Sequence, residues 1–283
     1  MKNFWTRTVS AVLYAVLFLG TLLSGTLLNN AVAGKAIFAA FLLFVAIGCS
    51  FEFFRIVGKQ GATPCRWLGY IFVVATIAVV TLTPLLPGLT GFSMALSAMA
   101  AIPALFALVA IVQLWYHSAE PFRDAAYTMV PMLYAAVPLG LMLSIVSDYS
   151  AWVMLMVIVL VWTNDNGAYM GGSWLGKHKM WPRHSPGKTW EGTIIGILFT
   201  LVVAVFVGPI APPHIAWYHW LVIGLFCSAV ATLGDLVESM LKRSVGLKDS
   251  GKIMPGHGGF LDRFDSLLIA TPFVYAYLVL FVH

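Results

Sequence analysis

The chain has 283 residues, of which 60% are hydrophobic and only 10% charged, with a mean hydropathy of +0.91 and a formal net charge of +5. An ordinary water-soluble domain does not carry that much apolar sequence, so the composition alone places the chain in a membrane. Cys49, Cys65 and Cys227 are scattered and odd in number, which suggests neither a disulfide framework nor a zinc site.

Crossing about 30 Å of hydrocarbon as a helix takes roughly 20 apolar residues. Nine segments qualify: 8–28, 36–54, 67–86, 92–115, 125–147, 151–170, 193–210, 217–237 and 266–282. Lipid cannot satisfy open backbone groups, so these runs are predicted to be helices. The fold class expected is therefore all-α, a polytopic integral membrane protein with about nine transmembrane helices. Residues 1–147 supply about five N-terminal spans, and residues 148–283 a catalytic region of about four spans with two polar loops. No intervening stretch is long enough for a soluble domain, so the two parts form one integrated membrane domain.

At the start of the chain, Lys2 and Arg7 precede an apolar run, and Ala31, Val32 and Ala33 resemble a small-residue cleavage site. The apolar run is longer than the roughly 7 to 15 residues usual in a signal peptide, and it reads as a first span. With nine spans, the amino terminus and the loops after spans two, four, six and eight share one side. That side collects every Lys and Arg except Lys35. The positive-inside bias makes it cytoplasmic, with the amino terminus inside and His283 outside. The result is a basic inner face suited to anionic head groups and anionic soluble substrates. For Arg55, Lys59, Arg66 and Arg123 the insertion bias alone is an equally good account. In the two later loops acids and glycines are interleaved with the bases, which points to function.

Glu52 and Arg55, three residues apart where span two meets the cytoplasm, read as a routine helix-surface pair. Asp165, flanked by Asn164 and Asn166, is different, because it lies some five residues inside the end of span six. An ionisable group at that depth usually faces a polar cavity. At the end of span eight, Asp235, Glu238 and Ser239 are spaced i, i+3, i+4 and share one helical face. If the helix of span nine begins early, Asp262, Asp265 and Ser266 repeat that spacing, and the two faces could converge on one or two hard cations through oxygen ligands.

The loop joining them, from Ser239 to Leu261, carries Lys242, Arg243, Lys248, Asp249 and Lys252, then the glycine-rich turn Pro255, Gly256, His257, Gly258 and Gly259. Such a turn can bring backbone amides against phosphate oxygens. The loop after span six adds Lys177, Lys179, Arg183 and Lys188 beside Ser185, Thr189 and Glu191. Gly187, Lys188 and Thr189 imitate the tail of a P-loop, but Pro182 occupies the position of its first glycine and no strand is expected before it, so a Walker-type site is rejected. Carboxylates able to hold a divalent metal, beside cations that neutralise phosphate, are the equipment of phosphoryl or nucleotidyl transfer.

These residues carry a resemblance. The run Ser239, Leu241, Lys242, Arg243, Lys248, Asp249, His257, Gly258, Gly259, Asp262, Arg263 and Asp265 is similar to the signature of the phosphatidate cytidylyltransferases, also called CDP-diacylglycerol synthases. Met254 stands where that family usually has leucine, isoleucine or phenylalanine. GDLVES (234–239), the Asp165 segment and SPGKTWEG (185–192) look like the family too, so the resemblance covers about the second half of the chain. It implies transfer of CMP from CTP to phosphatidate at the inner leaflet of the cell membrane, giving CDP-diacylglycerol and pyrophosphate, with Mg2+ required and room for a second cation. It also suggests a homodimer among membrane lipids, and no nucleic-acid partner.

On that reading Asp235, Asp262 and Asp265 hold the metal, with Glu238 as an outer or additional ligand. Lys242, Arg243 and Arg263 meet the lipid phosphate or pyrophosphate, and Ser185, Lys188 and Thr189 bind the CTP phosphates. Asp165, Ser239, Lys248, Asp249, His257, Gly258 and Gly259 complete the substrate site. Two alternatives stay open: a CTP-dependent transferase acting on another lipid or polyprenol phosphate, and an ion-coupled transporter. Transporters place their charges near the midplane and show paired halves, whereas here the polar residues crowd one interface.

Overall fold

The computed structural model describes residues 2–83, 91–116, 118–210, 215–251, 253 and 258–282. The long apolar runs are helices: α1 (Lys2–Leu22), a short turn α2 (Ser24–Leu27), α3 (Ala31–Gly58), α4 (Arg66–Leu82), α5 (Gly91–Gln113), α6 (Pro121–Asp148), α7 (Ala151–Leu175), α8 (Trp190–Ile210), α9 (Trp217–Arg243) and α10 (Leu261–Phe281). Six of them, α3 and α6 to α10, are long and apolar enough to cross a membrane. The apolar helices at Val9–Leu22, Arg66–Leu82 and Ala100–Gln113 are shorter. They correspond to three of the nine runs expected to span. The chain is a multi-pass α-helical membrane protein.

Starts and stops follow local chemistry. Asn30 caps α3 by accepting from the Ala33 amide at 3.0 Å, and Ser150 caps α7 by accepting from Val153. Two helices contain a π-type turn, Met132–Ala136 in α6 and Phe226–Val230 in α9. In the second, the Ser228 hydroxyl donates back to the Gly224 carbonyl at 2.8 Å. Neither turn leaves a mark in the apolar pattern.

One apolar cluster runs through the molecule, from Phe18 and Phe38 through Phe54, Leu139 and Met154 to Trp220, Phe264 and Leu278. Both halves of the chain contribute to it. α7 and α8 pack closely because glycines allow backbone contact: a Cβ at Gly192 would lie 2.6 Å from the Ala168 carbonyl and 2.9 Å from Gly172.

The segment between α7 and α8, expected to be loop, is an antiparallel hairpin of β1 (Lys179–Trp181) and β2 (Ser185–Thr189), paired Lys179 to Thr189 and Trp181 to Ser185. This small sheet is the one departure from an all-helical chain among the described residues. It folds back because Glu191, in the first turn of α8, accepts hydrogen bonds from the backbone amides of Lys177 and His178 at 3.1 Å.

Candidate active site

Five helix ends meet at one end of the bundle: the C-terminal ends of α3, α7 and α9 and the N-terminal ends of α8 and α10. Between the ends of α7, α8, α9 and α10 opens a cavity of about 1050 Å³, with α3 behind its loop. α7 contributes Asn164 and Asp165, the hairpin Ser185, Lys188 and Thr189, and α9 Thr232, Asp235 and Lys242. The following loop contributes Lys248, Asp249 and Gly258, and α10 contributes Asp262, Arg263, Asp265 and Ser266.

Each helix enters the site for a local reason. Thr189 accepts from the Gly192 amide at 3.2 Å and so caps α8, which holds Lys188 at the cavity wall. Lys188 Nζ lies 2.8 Å from Asp235 Oδ2 and donates to the Thr232 carbonyl at 2.9 Å. Asn164 donates to the Thr232 hydroxyl at 3.1 Å, tying α7 to α9. α7 runs on to Leu175, ten residues beyond Asp165, so this acid sits about 15 Å from the helix end at 1.5 Å per residue. The helix therefore continues five residues past the end that the apolar pattern suggested.

α10 begins at Leu261, early enough to carry both Asp262 and Asp265 on its first two turns. The two acids nevertheless part company. Asp265 turns toward α9, and among the described residues Asp235, Glu238 and Asp265 are the acids close enough to share a cation, with one oxygen of each within 4.8 Å of the others. Asp262 turns the other way. Its Oδ1 lies 2.6 Å from Lys242 Nζ, and its Oδ2 accepts from the amides of Ser250 and Gly259, both at 2.8 Å. Asp262, expected as a ligand beside Asp265, is thus engaged by Lys242 of α9 through one oxygen and by the loop amides through the other.

Glu238 is fully buried, and its Oε2 pairs with Lys242, which lies one turn along the same helix. Its Oε1 has no hydrogen-bond partner among the described residues. A buried carboxylate close to two further carboxylates is unfavourable unless a proton or a cation joins them, and three hard oxygen donors from two helices are a donor set that suits Mg2+. The residues present thus fit a divalent ion.

Lys242 bridges Glu238 and Asp262, so one cation joins the acid group to the loop. Arg243, expected beside it at the reacting phosphates, is not on the cavity wall. Its guanidinium donates to the carbonyls of His184 (3.3 Å) and Leu247 (3.1 Å), clamping the hairpin to the loop after α9. Consecutive residues on a helix face directions about 100° apart, and here Lys242 points into the cavity while Arg243 points toward the hairpin. Ser239 lies beside the wall and its hydroxyl is 3.2 Å from Asp235 Oδ1. Gly259 is packed against Glu52. His257 lies outside the described residues.

Glu52 is the participant that sequence reasoning missed. It makes no ion pair with Arg55 among the described residues. It is fully buried and accepts from the Phe260 and Leu261 amides, both at 3.0 Å, and lies 2.8 Å from the Ser250 hydroxyl. Arg55 donates to the Ser250 carbonyl. A spacing of three residues favours a local pair, and the one signal against it is an acid within a long apolar helix.

A helical membrane bundle with a cavity at one end, lined by clustered acids and by cations from four segments, defines a class: multi-pass membrane proteins whose polar chamber offers carboxylates for a metal beside cations for phosphate. The model of the Cytidylyltransferase family matches residues 5–281, and the chain belongs to that family. The chain is similar to the phosphatidate cytidylyltransferase of Bacillus subtilis (strain 168), at 48% identity over 134 residues, which is 47% of this chain and 50% of that protein. It also resembles the phosphatidate cytidylyltransferases of Staphylococcus saprophyticus (40% over 151 residues) and Staphylococcus aureus strain N315 (40% over 156), in each case over 53% of this chain and 58% of the relative. The chain thus spans about half the length of the curated relatives it matches.

Proposed function

We propose that this chain transfers CMP from CTP to phosphatidate, forming CDP-diacylglycerol and releasing pyrophosphate. The observation that carries the reading is the convergence of Asp235, Glu238 and Asp265 with Lys188 and Lys242 at a cavity among membrane-spanning helices. Membership of the family and the names of the relatives support it. The cavity volume of about 1050 Å³ lies just above the roughly 300–1,000 Å³ usual for ligand pockets, which suits two substrates that must meet.

In the reaction a phosphate oxygen of phosphatidate attacks the α-phosphorus of CTP, a P–O bond forms, and the bond to the β-phosphate bridging oxygen breaks with the electron pair leaving on pyrophosphate. The nucleophile is already ionised near neutral pH, so no general base is obligatory. The difficulty is joining two anions, and positioning and electrostatics supply most of the catalysis. Lys188, on the cap of α8, binds the triphosphate together with Ser185 and Thr189. Arg263 and Lys248 face the lipid phosphate or the departing pyrophosphate, and Asp165 lines the cavity wall. Asp235, Glu238 and Asp265 hold Mg2+, which when bound neutralises phosphate charge. Lys242 keeps Glu238 and Asp262 in place.

The open end of the cavity faces the cytoplasm, from which CTP arrives, and the nine apolar helices lie in the cell membrane with the amino terminus inside. The two parts, residues 1–147 and 148–283, act as one domain, and the functional unit is a homodimer. The test is pyrophosphate release by the purified chain, measured with CTP and phosphatidate together and separately, with Mg2+ and with a chelator. Release that needs both substrates and the metal is expected. Release without lipid would overturn the reading, and faster turnover of another lipid phosphate in the same assay would reassign the acceptor.

A further inference from the structure

A second, smaller cavity of about 270 Å³ opens where the last turns of α3 meet the first turns of α4. Three cations line it, Arg55, Lys59 and Arg66, together with Phe51, Phe54 and Tyr70. No carboxylate lines it, and among the described residues none of the three cations is ion-paired with one.

Arg55 and Lys59 stand i, i+4 on one face of α3, a spacing at which like charges repel. Arg66 reaches across from α4 at the position where α3 has no side chain, since a Cβ on Gly58 would sit 3.2 Å from its Nη2. Positive-inside bias accounts for these residues lying at this end of the bundle. It does not account for three of them, from two helices, converging on one concavity without a counter-charge. An anion satisfies them.

The surroundings indicate which anion. Phe51 on the pocket wall and Trp67, next to Arg66 on α4, each have about half of their surface exposed, and aromatic rings of this kind sit at head-group level in a bilayer. A soluble anion gains nothing from them, whereas a phospholipid places its phosphate among the cations and its chains along the apolar helices. Arg55 also donates to the Ser250 carbonyl, and the Ser250 hydroxyl lies 2.8 Å from both Glu52 and Asp262. The pocket therefore adjoins the hydrogen-bond network beneath the main cavity.

We propose that the Arg55, Lys59 and Arg66 pocket is a second lipid-phosphate site, separate from the main cavity, which takes the head group of an anionic phospholipid and steadies Arg55 against the loop that leads to Asp262. Binding here does not require the transfer reaction to be as proposed, and it is measured without turnover. The purified full chain in detergent, offered equal amounts of phosphatidylglycerol and phosphatidylcholine, is examined by native mass spectrometry for retained lipid.

The wild type is expected to retain phosphatidylglycerol in excess. Lys59→Gln with Arg66→Gln should weaken that retention about tenfold or more, while Lys59→Arg with Arg66→Lys should keep it. Both positions are exposed, and the single Arg66→Gln variant gives the same reading, at smaller amplitude, if the double variant is poorly folded. Unchanged retention in the glutamine variants would overturn the proposal. So would displacement of phosphatidylglycerol by millimolar inorganic phosphate, which would make the pocket a site for soluble anions.

Discussion

Glu52, in the interior of α3, accepts the amide N–H groups of Phe260 and Leu261 and thereby caps α10, although Phe260 lies 208 residues further along the chain. The first amides of a helix have no intrahelical acceptor and carry the positive end of its dipole. A buried carboxylate from another helix satisfies both needs, and it fixes where Asp262 and Asp265 begin their turns.

Replacing Glu52 by Ala leaves those amides and the Ser250 hydroxyl without their acceptor. Removing one partner of a buried charged network costs on the order of 3 kcal/mol. Glu52→Gln restores one acceptor oxygen but turns an NH2 group toward a backbone N–H, so it recovers stability only in part. Cys49, Cys65 and Cys227 are free and buried, so the unfolding midpoint in detergent can be followed with a thiol-reactive dye. The expected order is wild type, then Gln, then Ala, with CMP transfer falling in the same order.

Asp262 and Asp265 are three residues apart on α10 and do different work, and paired variants separate them. Asp265→Asn and Asp235→Asn weaken the acid group, so their residual activity should need at least tenfold more Mg2+ for half-saturation, with the thermal midpoint nearly unchanged. Asp262→Asn loosens Lys242, Ser250 and Gly259, so it should lower the midpoint as well as the rate. A Mg2+ requirement that moves only in Asp262→Asn would return that residue to the metal.

The apolar runs, the acid spacings on α9 and α10 and the polar loops could all be read from the chain, because burial in lipid and helix geometry impose periodic patterns. Glu52 could not be read in the same way. A side chain that bonds to distant backbone leaves no periodicity, and its neighbour Arg55 offered a local partner. The different partners of Asp262 and Asp265, and the different directions of Lys242 and Arg243, depend on the path of the loop after α9, which propensity does not encode. The hairpin escaped because Pro182, Pro186 and Gly187 read as breakers, and its closure comes from Glu191 across the turn.

Lys188 lies at once on the cap of α8, beside Asp235 and against the Thr232 carbonyl. If it binds the triphosphate uniformly through the reaction, Lys188→Ala raises the apparent KM for CTP with a smaller change in kcat. Lys188→Arg keeps the charge but not the compact ammonium, and should fall between the two. Initial rates over a CTP series at saturating phosphatidate give the answer. A change confined to the KM for phosphatidate would place this lysine at the lipid instead.

Gly192 links the packing of α7 and α8 to the distance between Asp165 and Lys188. The atoms that a Cβ there would meet, the Ala168 carbonyl and the Gly172 N and Cα at 2.6 to 2.9 Å, all belong to backbone and cannot rotate away. Gly192→Val must therefore push the two helices apart, at about 1–3 kcal/mol for overpacking. Because α7 carries Asp165 and β2 leads from Lys188 directly into α8, the separation reaches the cavity without altering any residue on its wall. Activity should fall at least tenfold with a lowered thermal midpoint. Gly20→Ala, whose added methyl meets nothing within 4 Å on α1, should leave both unchanged. A fully active Gly192→Val enzyme would mean that the close helix contact has no part in setting the site.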